Sequence, residues 1–309
     1  MSVEPRDIER QKIETRDVET PRARVLRRFR HNRAAMAGLV IFCFMVVVAL
    51  LSLFWTPQDY LAIDAFHVSA GPSTAHWLGT DSAGRDLLSR LMVGSRASME
   101  VGAIVVVLAL GAAIPVGLVA GYFGGRIDYL IMRFMDALFA FPAITLAIAI
   151  SALLLGNGAS SNKSLLVCGV AISVVFVPGL VRLLRAQVLT VREETFIEAS
   201  RSVGVTQGRM VRKHVFPNVI SPMVVQAALT FGYALLTEAG LSFLGYGVQP
   251  FTPSWGTMLA DGYNGILSSQ WPLLPPGLAI TVTVLAVNLI GDGMRDALGR
   301  EVFVVKETA

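Results

Sequence analysis

The chain is poor in the residues that do chemistry. Its 309 residues include two cysteines and four histidines. Cys43 and Cys168 both fall in apolar runs, so neither a disulfide framework nor a metal site is suggested. His31, His67, His76 and His214 are scattered. No G-x-x-x-x-G-K-[ST] phosphate loop occurs, so the chain itself is not expected to bind ATP in that way. An enzyme reading has nothing to rest on, since HExxH, paired CxxC and Gly-x-Ser-x-Gly arrangements are all missing. Charge is scarce as well. Only 16% of residues are charged while 54% are hydrophobic, a membrane-protein composition. The first 35 residues are charged and lack an apolar stretch ahead of a small-residue cleavage site, so no cleavable signal is expected.

What the chain does have is long apolar runs. Those at 36–55, 99–122, 129–155, 165–184, 219–240 and 276–294 predict six transmembrane helices, because about 20 residues cross a hydrocarbon core of ~30 Å. Pro115, Pro142, Pro178 and Pro222 fall inside them, which membrane helices tolerate when neighbours satisfy the freed carbonyls. Trp55 sits where an interfacial aromatic is expected. The fold class is an all-α membrane protein. Its parts are a basic N-terminal tail (1–35), a first span with an outer segment ending in an amphipathic stretch (36–97), a five-helix core (98–295) and a C-terminal tail (296–309). The core contains a polar loop at 185–218.

Cation placement sets the orientation. With the N-terminus inside, the inner segments hold the tail arginines, Arg126, Arg133, the set from Arg182 to Lys213, Arg295, Arg300 and Lys306. The outer segments hold only Arg85, Arg90, Arg96 and Lys163. Both termini and the 185–218 loop are therefore expected in the cytoplasm. The Arg22–Arg33 run reads as a juxtamembrane basic segment facing anionic lipid. A nucleic-acid partner is not expected, since no recognition fold follows that run.

The most informative polar stretch runs from Glu193 to Asn218. Glu193 and Glu194 suit a helix N-terminus, and Phe196, Ala199, Ser200 and Val203 share one face at spacings of three and four. Gly204 is the expected left-handed stop. Thr206 can cap a second helix ending in Arg212, Lys213 and His214, and Pro217 marks a break. An ordinary amphipathic linker on the membrane surface would share these features. The order Glu198-Ala199-Ser200, Gly204, His214, Phe216-Pro217 resembles the cytoplasmic "EAA" loop of ABC-importer permeases, with Ser200 for Ala, His214 for Ile and Phe216 for Leu. In that family the loop is a coupling helix seated in a groove of a separate ATPase. The resemblance therefore implies an ATPase-coupling role for Glu194, Phe196, Glu198, Ala199, Ser200, Arg201, Gly204 and Pro217.

Two further stretches resemble the dipeptide, oligopeptide and nickel branch of the same permeases. One is Leu78-Gly79-Thr80-Asp81 followed by Gly84-Arg85-Asp86, Leu88-Ser89-Arg90 and Gly94-Ser95-Arg96. On the residues alone it is an amphipathic surface helix, capped by Thr80 or Asp81 and held by Asp86–Arg90 pairing at i,i+4. The other comprises Thr237-Glu238-Ala239-Gly240-Leu241-Ser242-Phe243-Leu244-Gly245, Pro253-Ser254-Trp255-Gly256 and Gly291-Asp292-Gly293-Met294-Arg295-Asp296-Ala297-Leu298. The resemblance covers nearly the whole chain after residue 30. It implies a type I ABC importer permease fold with six spans, a second homologous permease subunit, two ATPase subunits carrying ATP and Mg, and an extracytoplasmic substrate-binding protein. No cofactor is implied in this chain. Trp255, Trp271, Asp81 and Arg85 are candidates for contact with the binding protein.

Ionisable and polar groups near the membrane supply candidates for a translocation path or gate: Glu238, Asp136, Gln226 and Asn288. Arg133 and Asp136, at i,i+3, are expected to pair with each other or with a loop. Glu238 could meet the amino group of a passing peptide, hold an outer gate closed, or make a helix-end hydrogen bond. Asn288 and Asp292 suit a cytoplasmic interfacial role. The Gly117–Gly121 spacing permits close helix approach, though such spacing is common in apolar sequence. The function expected is ATP-driven uptake of di- or oligopeptides, with nickel, glutathione, haem or oligosaccharide as other cargo of the same class. A self-sufficient secondary transporter would want deep carboxylates, which are missing. A membrane scaffold using the 185–218 loop for docking is the remaining rival.

Overall fold

In lipid a backbone finds hydrogen-bond partners only within itself, so long apolar runs become helices. The computed structural model describes residues 21–155, 160–248 and 252–299. Helix α1 (Pro21–His31) precedes α2 (Arg33–Leu51), and Asn32 between them caps α2 by accepting the Ala35 N–H at 3.1 Å. After an irregular segment come α3 (Leu87–Phe123), α4 (Gly125–Phe139), α5 (Ala143–Leu155) and α6 (Ser161–Arg192). Then follow α7 (Thr195–Ser202), α8 (Gln207–Met210), a π turn (Val211–Val215), α9 (Phe216–Phe243), α10 (Trp255–Asn264), a 3₁₀ turn (Trp271–Leu273) and α11 (Leu274–Gly299). No strand forms among the described residues; Thr80 and Asp86 make an isolated bridge.

The helices meet where their side chains are small. On α3, Ala109, Ala113, Gly117, Ala120 and Gly121 are buried, and the two glycines lie along α6 near Val181, Leu184 and Val188. A Cβ at Gly121 would lie 2.7 Å from that of Val188, and one at Gly117 would lie 3.0 Å from that of Leu184. Glycine thus sets the separation of α3 and α6, where close approach maximises dispersion contact. Across the bundle, α2 packs on α11, with Gly38 seated on the Ala286 carbonyl and Gly293 on Ala35. Phe29 of α1 joins Ala35 and Ala297 there.

Among the described residues five helices are long and apolar enough to cross a membrane, and a sixth span arises if α4 and α5 are counted together. That pair corrects the expectation of one continuous span over 129–155. The two helices meet at 89° across Ala140, Phe141 and Pro142. The residue before a proline is pushed out of the helical region, and α4 is amphipathic rather than apolar, so nothing holds the two halves in line. Elsewhere the helices outrun the predicted spans. The amphipathic stretch before residue 99 is simply the start of α3, and α6 continues to Arg192 because its polar end leaves the hydrocarbon. In the expected tails, residues 21–35 are helical apart from Asn32, and 296–299 belong to α11. Residues 1–20 and 300–309 lie outside the described residues.

Two ion pairs join α4 to α6. Arg185 donates to both oxygens of Asp128 at 2.5 and 2.6 Å, and Arg182 donates to Asp136 at 2.6 Å. Asp136 therefore pairs across helices rather than with Arg133, its neighbour at i,i+3.

Candidate functional site

At one end of the bundle the chain makes a projecting knuckle. The end of α3 is closed by Arg192, whose Nη1 donates to the Tyr122 carbonyl at 3.2 Å. Glu194 takes the N-cap position of α7 and Glu198 lies in its first turn, where negative charge is favoured. Ile197 anchors the helix. It is wholly buried, in a cluster with Val188, Met210 and Val215. The opposite face carries Phe196, 39% exposed, and Val203, 80% exposed, beside Ala199 and Ser200. Ser200 and Ser202 donate their hydroxyls back to the Phe196 and Glu198 carbonyls at 2.7 and 3.1 Å. Gly204 has φ +80°, and the Val205 N–H closes the helix onto the Ser200 carbonyl at 3.2 Å.

The return from the knuckle runs directly into α9. Pro217 lacks an N–H and its ring would crowd the carbonyl four residues back in a regular helix. The chain answers with the π turn, in which the Phe216 N–H reaches back to Val211, and Asn218 Nδ2 satisfies the His214 carbonyl at 2.6 Å. Residues Gln207–Phe243 form one continuous helical run. A cleft of about 620 Å³ opens at the base of the knuckle, lined by Tyr122, Phe123, Arg192, Arg201, Gln207 and Met210 among others. Thus Glu194, Phe196, Glu198, Ala199, Ser200, Arg201 and Gly204 come together on one projection, with Pro217 at the foot of its return helix. Ile197, which fixes the projection to the bundle, was missed in the sequence. A single buried residue in a short polar helix leaves no periodic signal.

At the far end, Glu238 of α9 is 1% exposed. Its carboxylate accepts from Ser98 at 3.1 Å and from Ser242 at 2.7 Å. Those hydroxyls in turn accept the Trp255 and Val248 N–H groups, each at 3.2 Å. Glu238 thus makes internal hydrogen bonds tying α3, α9 and the start of α10. Trp255 is also 1% exposed and donates to the Leu91 carbonyl, so its ring offers no surface to a docked protein in this conformation. Trp271, partly buried, donates to the Leu78 carbonyl at 2.7 Å. Gln226 is half-buried on α9, and Asn288 of α11 lies against Gly232.

Asp81 is 2% exposed. It accepts from the Ala83 and Arg85 N–H groups and from Arg85 Nε at 2.7 Å. Arg85 and Arg90 both reach Asp261 of α10 at 2.9 Å. The expected Asp86–Arg90 pair is replaced by this network. Asp86, not Thr80 or Asp81, caps the helix, accepting the Ser89 N–H at 2.8 Å and lying 3.0 Å from His76 Nδ1. On the same segment, hydrogen bonding with His67 and to the Phe66 N–H holds the Asp64 carboxyl below the usual carboxylate range.

A bundle of spanning helices with an anchored knuckle projecting from one end defines a membrane permease subunit. The chain belongs to the binding-protein-dependent transport system inner membrane component family, which matches residues 113–304. Residues 20–72 match the N-terminal TM domain of oligopeptide transport permease C. It is a multi-pass, non-catalytic ABC importer permease subunit of the inner membrane. The chain is 42% identical to the dipeptide transport system permease protein DppC of Alkalihalophilus pseudofirmus, over 90% of each chain. It is 42% identical to the di/tripeptide transport system permease protein DppC of Pseudomonas aeruginosa, over 87% of this chain and 89% of the other. To the glutathione transport system permease protein GsiD of Pectobacterium atrosepticum it is 38% identical, over 93% of each. The fold is similar to that of the MetNI methionine ABC transporter in an inward-facing conformation (TM-score 0.56, 19% identity, 68% of this chain and 97% of that one).

Proposed function

We propose that this permease moves di- or oligopeptides into the cytoplasm and is driven through the 193–217 knuckle by separate ATPase subunits. A second homologous permease and an extracytoplasmic binding protein complete the assembly. The knuckle end and both termini lie in the cytoplasm, in keeping with the Lys and Arg bias. The observation that carries coupling is the two-faced α7: Ile197 is wholly buried, whereas Phe196 and Val203 stand out with small residues between them. A helix gripped on one side and bare on the other transmits a push. ATP-driven closure of the ATPases would displace this helix and, through the run from Gln207, reorient the bundle between inward-facing and outward-facing states.

Peptide cargo is supported by the relatives named for dipeptide and di/tripeptide transport. The relatives named for glutathione transport favour a second reading, in which the cargo is that modified tripeptide. The decisive experiment reconstitutes the complex and compares Glu198→Arg and Gly204→Trp with the parent. Insertion and assembly of the two permeases should persist while ATP-driven uptake of alanyl-alanine is lost. Uptake at the parental rate in either variant would remove the docking role. ATP-driven uptake of glutathione but not of alanyl-alanine by the parent complex would move the cargo to the second reading.

A further inference from the structure

Arg201 stands four residues after Ile197 on α7, so it shares that residue's inward face. It lines the cleft at the base of the knuckle, away from Phe196 and Val203. Arg192 lines the cleft from the end of α6 and spends one of its five donors on the Tyr122 carbonyl. Glu193 lines it too. Among the described residues neither Arg201 nor Glu193 makes a side-chain hydrogen bond or ion pair. Half-exposed Phe123 and buried Met210 add apolar wall.

Depth and charge together select an occupant. Arg192 lies eight residues beyond residue 184, where the apolar run of α6 ends. At ~1.5 Å per residue that distance is about 12 Å. The headgroup layer is roughly 5–8 Å deep on each side of a bilayer. The cleft therefore opens beyond the lipid, on the surface that carries the knuckle. Two guanidiniums against one carboxylate leave it net positive, and a guanidinium grips a carboxylate with paired hydrogen bonds. Its volume of about 620 Å³ admits a side chain together with the backbone that bears it.

We propose that this cleft receives an acidic side chain from a protruding loop of the ATPase subunit, held between Arg192 and Arg201. The proposal rests on the coupling reading above and adds to it a second contact, behind α7. Contact with the bare face alone lets an ATPase press α7 toward the bundle. A carboxylate lodged between α7 and the helix ends also lets it draw α7 back when the ATPases separate, so both halves of the cycle are driven. Arg201 supplies the grip, and Arg192 ties that grip to the end of α3 through Tyr122.

The test uses the complex of permeases and ATPases in vesicles, with Arg201→Lys, which keeps the charge and supplies an amine. A water-soluble carbodiimide joins an amine only to a carboxylate in contact with it. Mass spectrometry should find position 201 joined to an aspartate or glutamate of the ATPase. Arg201→Gln loses no internal partner and should fold as the parent does, yet release the ATPase several-fold faster. Raising the salt should narrow that difference. The cleft contact is overturned if position 201 joins only Glu193 or nothing, or if Arg201→Gln releases the ATPase at the parental rate. A benzophenone attached at Val203→Cys, with Cys43→Ala, keeps the two claims apart. Capture of the ATPase there without a link at position 201 removes the cleft contact and leaves the docking helix. A link at position 201 without that capture leaves the cleft contact and removes the outward seat, and failure of both removes the docking role altogether.

Discussion

Arg90 shows how a charge is accommodated where the chain leaves the membrane. Its side chain is 2% exposed, and it sits 2.9 Å from Asp261 and 3.4 Å from Asp81. Its Nε is close enough to Asp81 for ion pairing yet not aligned for a hydrogen bond. Asp81 matters more than this contact suggests, since it also accepts two backbone N–H groups and Arg85 Nε. Removing one partner of a buried pair typically costs about 3–5 kcal/mol, because the other charge stays behind. Asp81→Ala should therefore lower the thermal unfolding midpoint of the solubilised chain substantially. Asp261→Ala should lower it less, because Asp261 is 37% exposed and water can replace it. Equal shifts would argue against this ranking. The sequence pattern suggested Asp86 for Arg90 by the i,i+4 rule. That rule fails at an N-cap, where the carboxylate turns back to the helix's own N–H groups. Asp261 was out of reach of any local rule, lying 171 residues away.

At the scale of the element, apolar length located every long helix, and the one large error has a physical cause. Pro142 looked no different from Pro115, Pro178 and Pro222, three prolines that do sit inside helices. What differs is the flank. Residues 125–139 carry Arg126, Asp128, Arg133 and Asp136, so α4 is not itself a spanning half, and averaging it with α5 hid the corner. Glycine roles were equally hard to read. The Gly117–Gly121 spacing counted for little in a sequence with 28 glycines, yet both residues lie at the α3–α6 contact. Gly121→Leu should force α3 from α6, since even a Cβ meets Val188 at 2.7 Å. The expected result is loss of folded protein by size-exclusion chromatography, with Gly111→Leu, where a Cβ meets nothing within 4 Å, as the tolerated control. Similar yields for the two would show that the interface can yield.

For the molecule as a whole, orientation is the property on which coupling depends. Val203, 80% exposed on the knuckle, and Phe66, 95% exposed in the 52–86 segment, give opposed reporters. With Cys43→Ala, an impermeant thiol reagent added outside intact cells should label Phe66→Cys and spare Val203→Cys. Inside-out vesicles should give the reverse. Labelling of Val203→Cys from outside would invert the topology and separate the knuckle from any cytoplasmic ATPase. The cation bias carries this expectation because it reads whole segments. The folding of the far end was not legible, since Glu238, Ser98 and Trp255 converge from three separate elements through hydroxyl groups that carry no pattern of their own.

The unbroken helix from Gln207 to Phe243 has a geometric corollary. At ~1.5 Å per residue its length is about 55 Å, so a pivot of roughly 10° at its base would sweep the opposite tip through about 10 Å. Glu238 sits near that tip, fastened to α3 through Ser98. Under the proposed coupling, a small tug on one surface of the membrane would in this way be magnified into a stroke on the other, and the amplifier would be nothing more than a stiff lever arm.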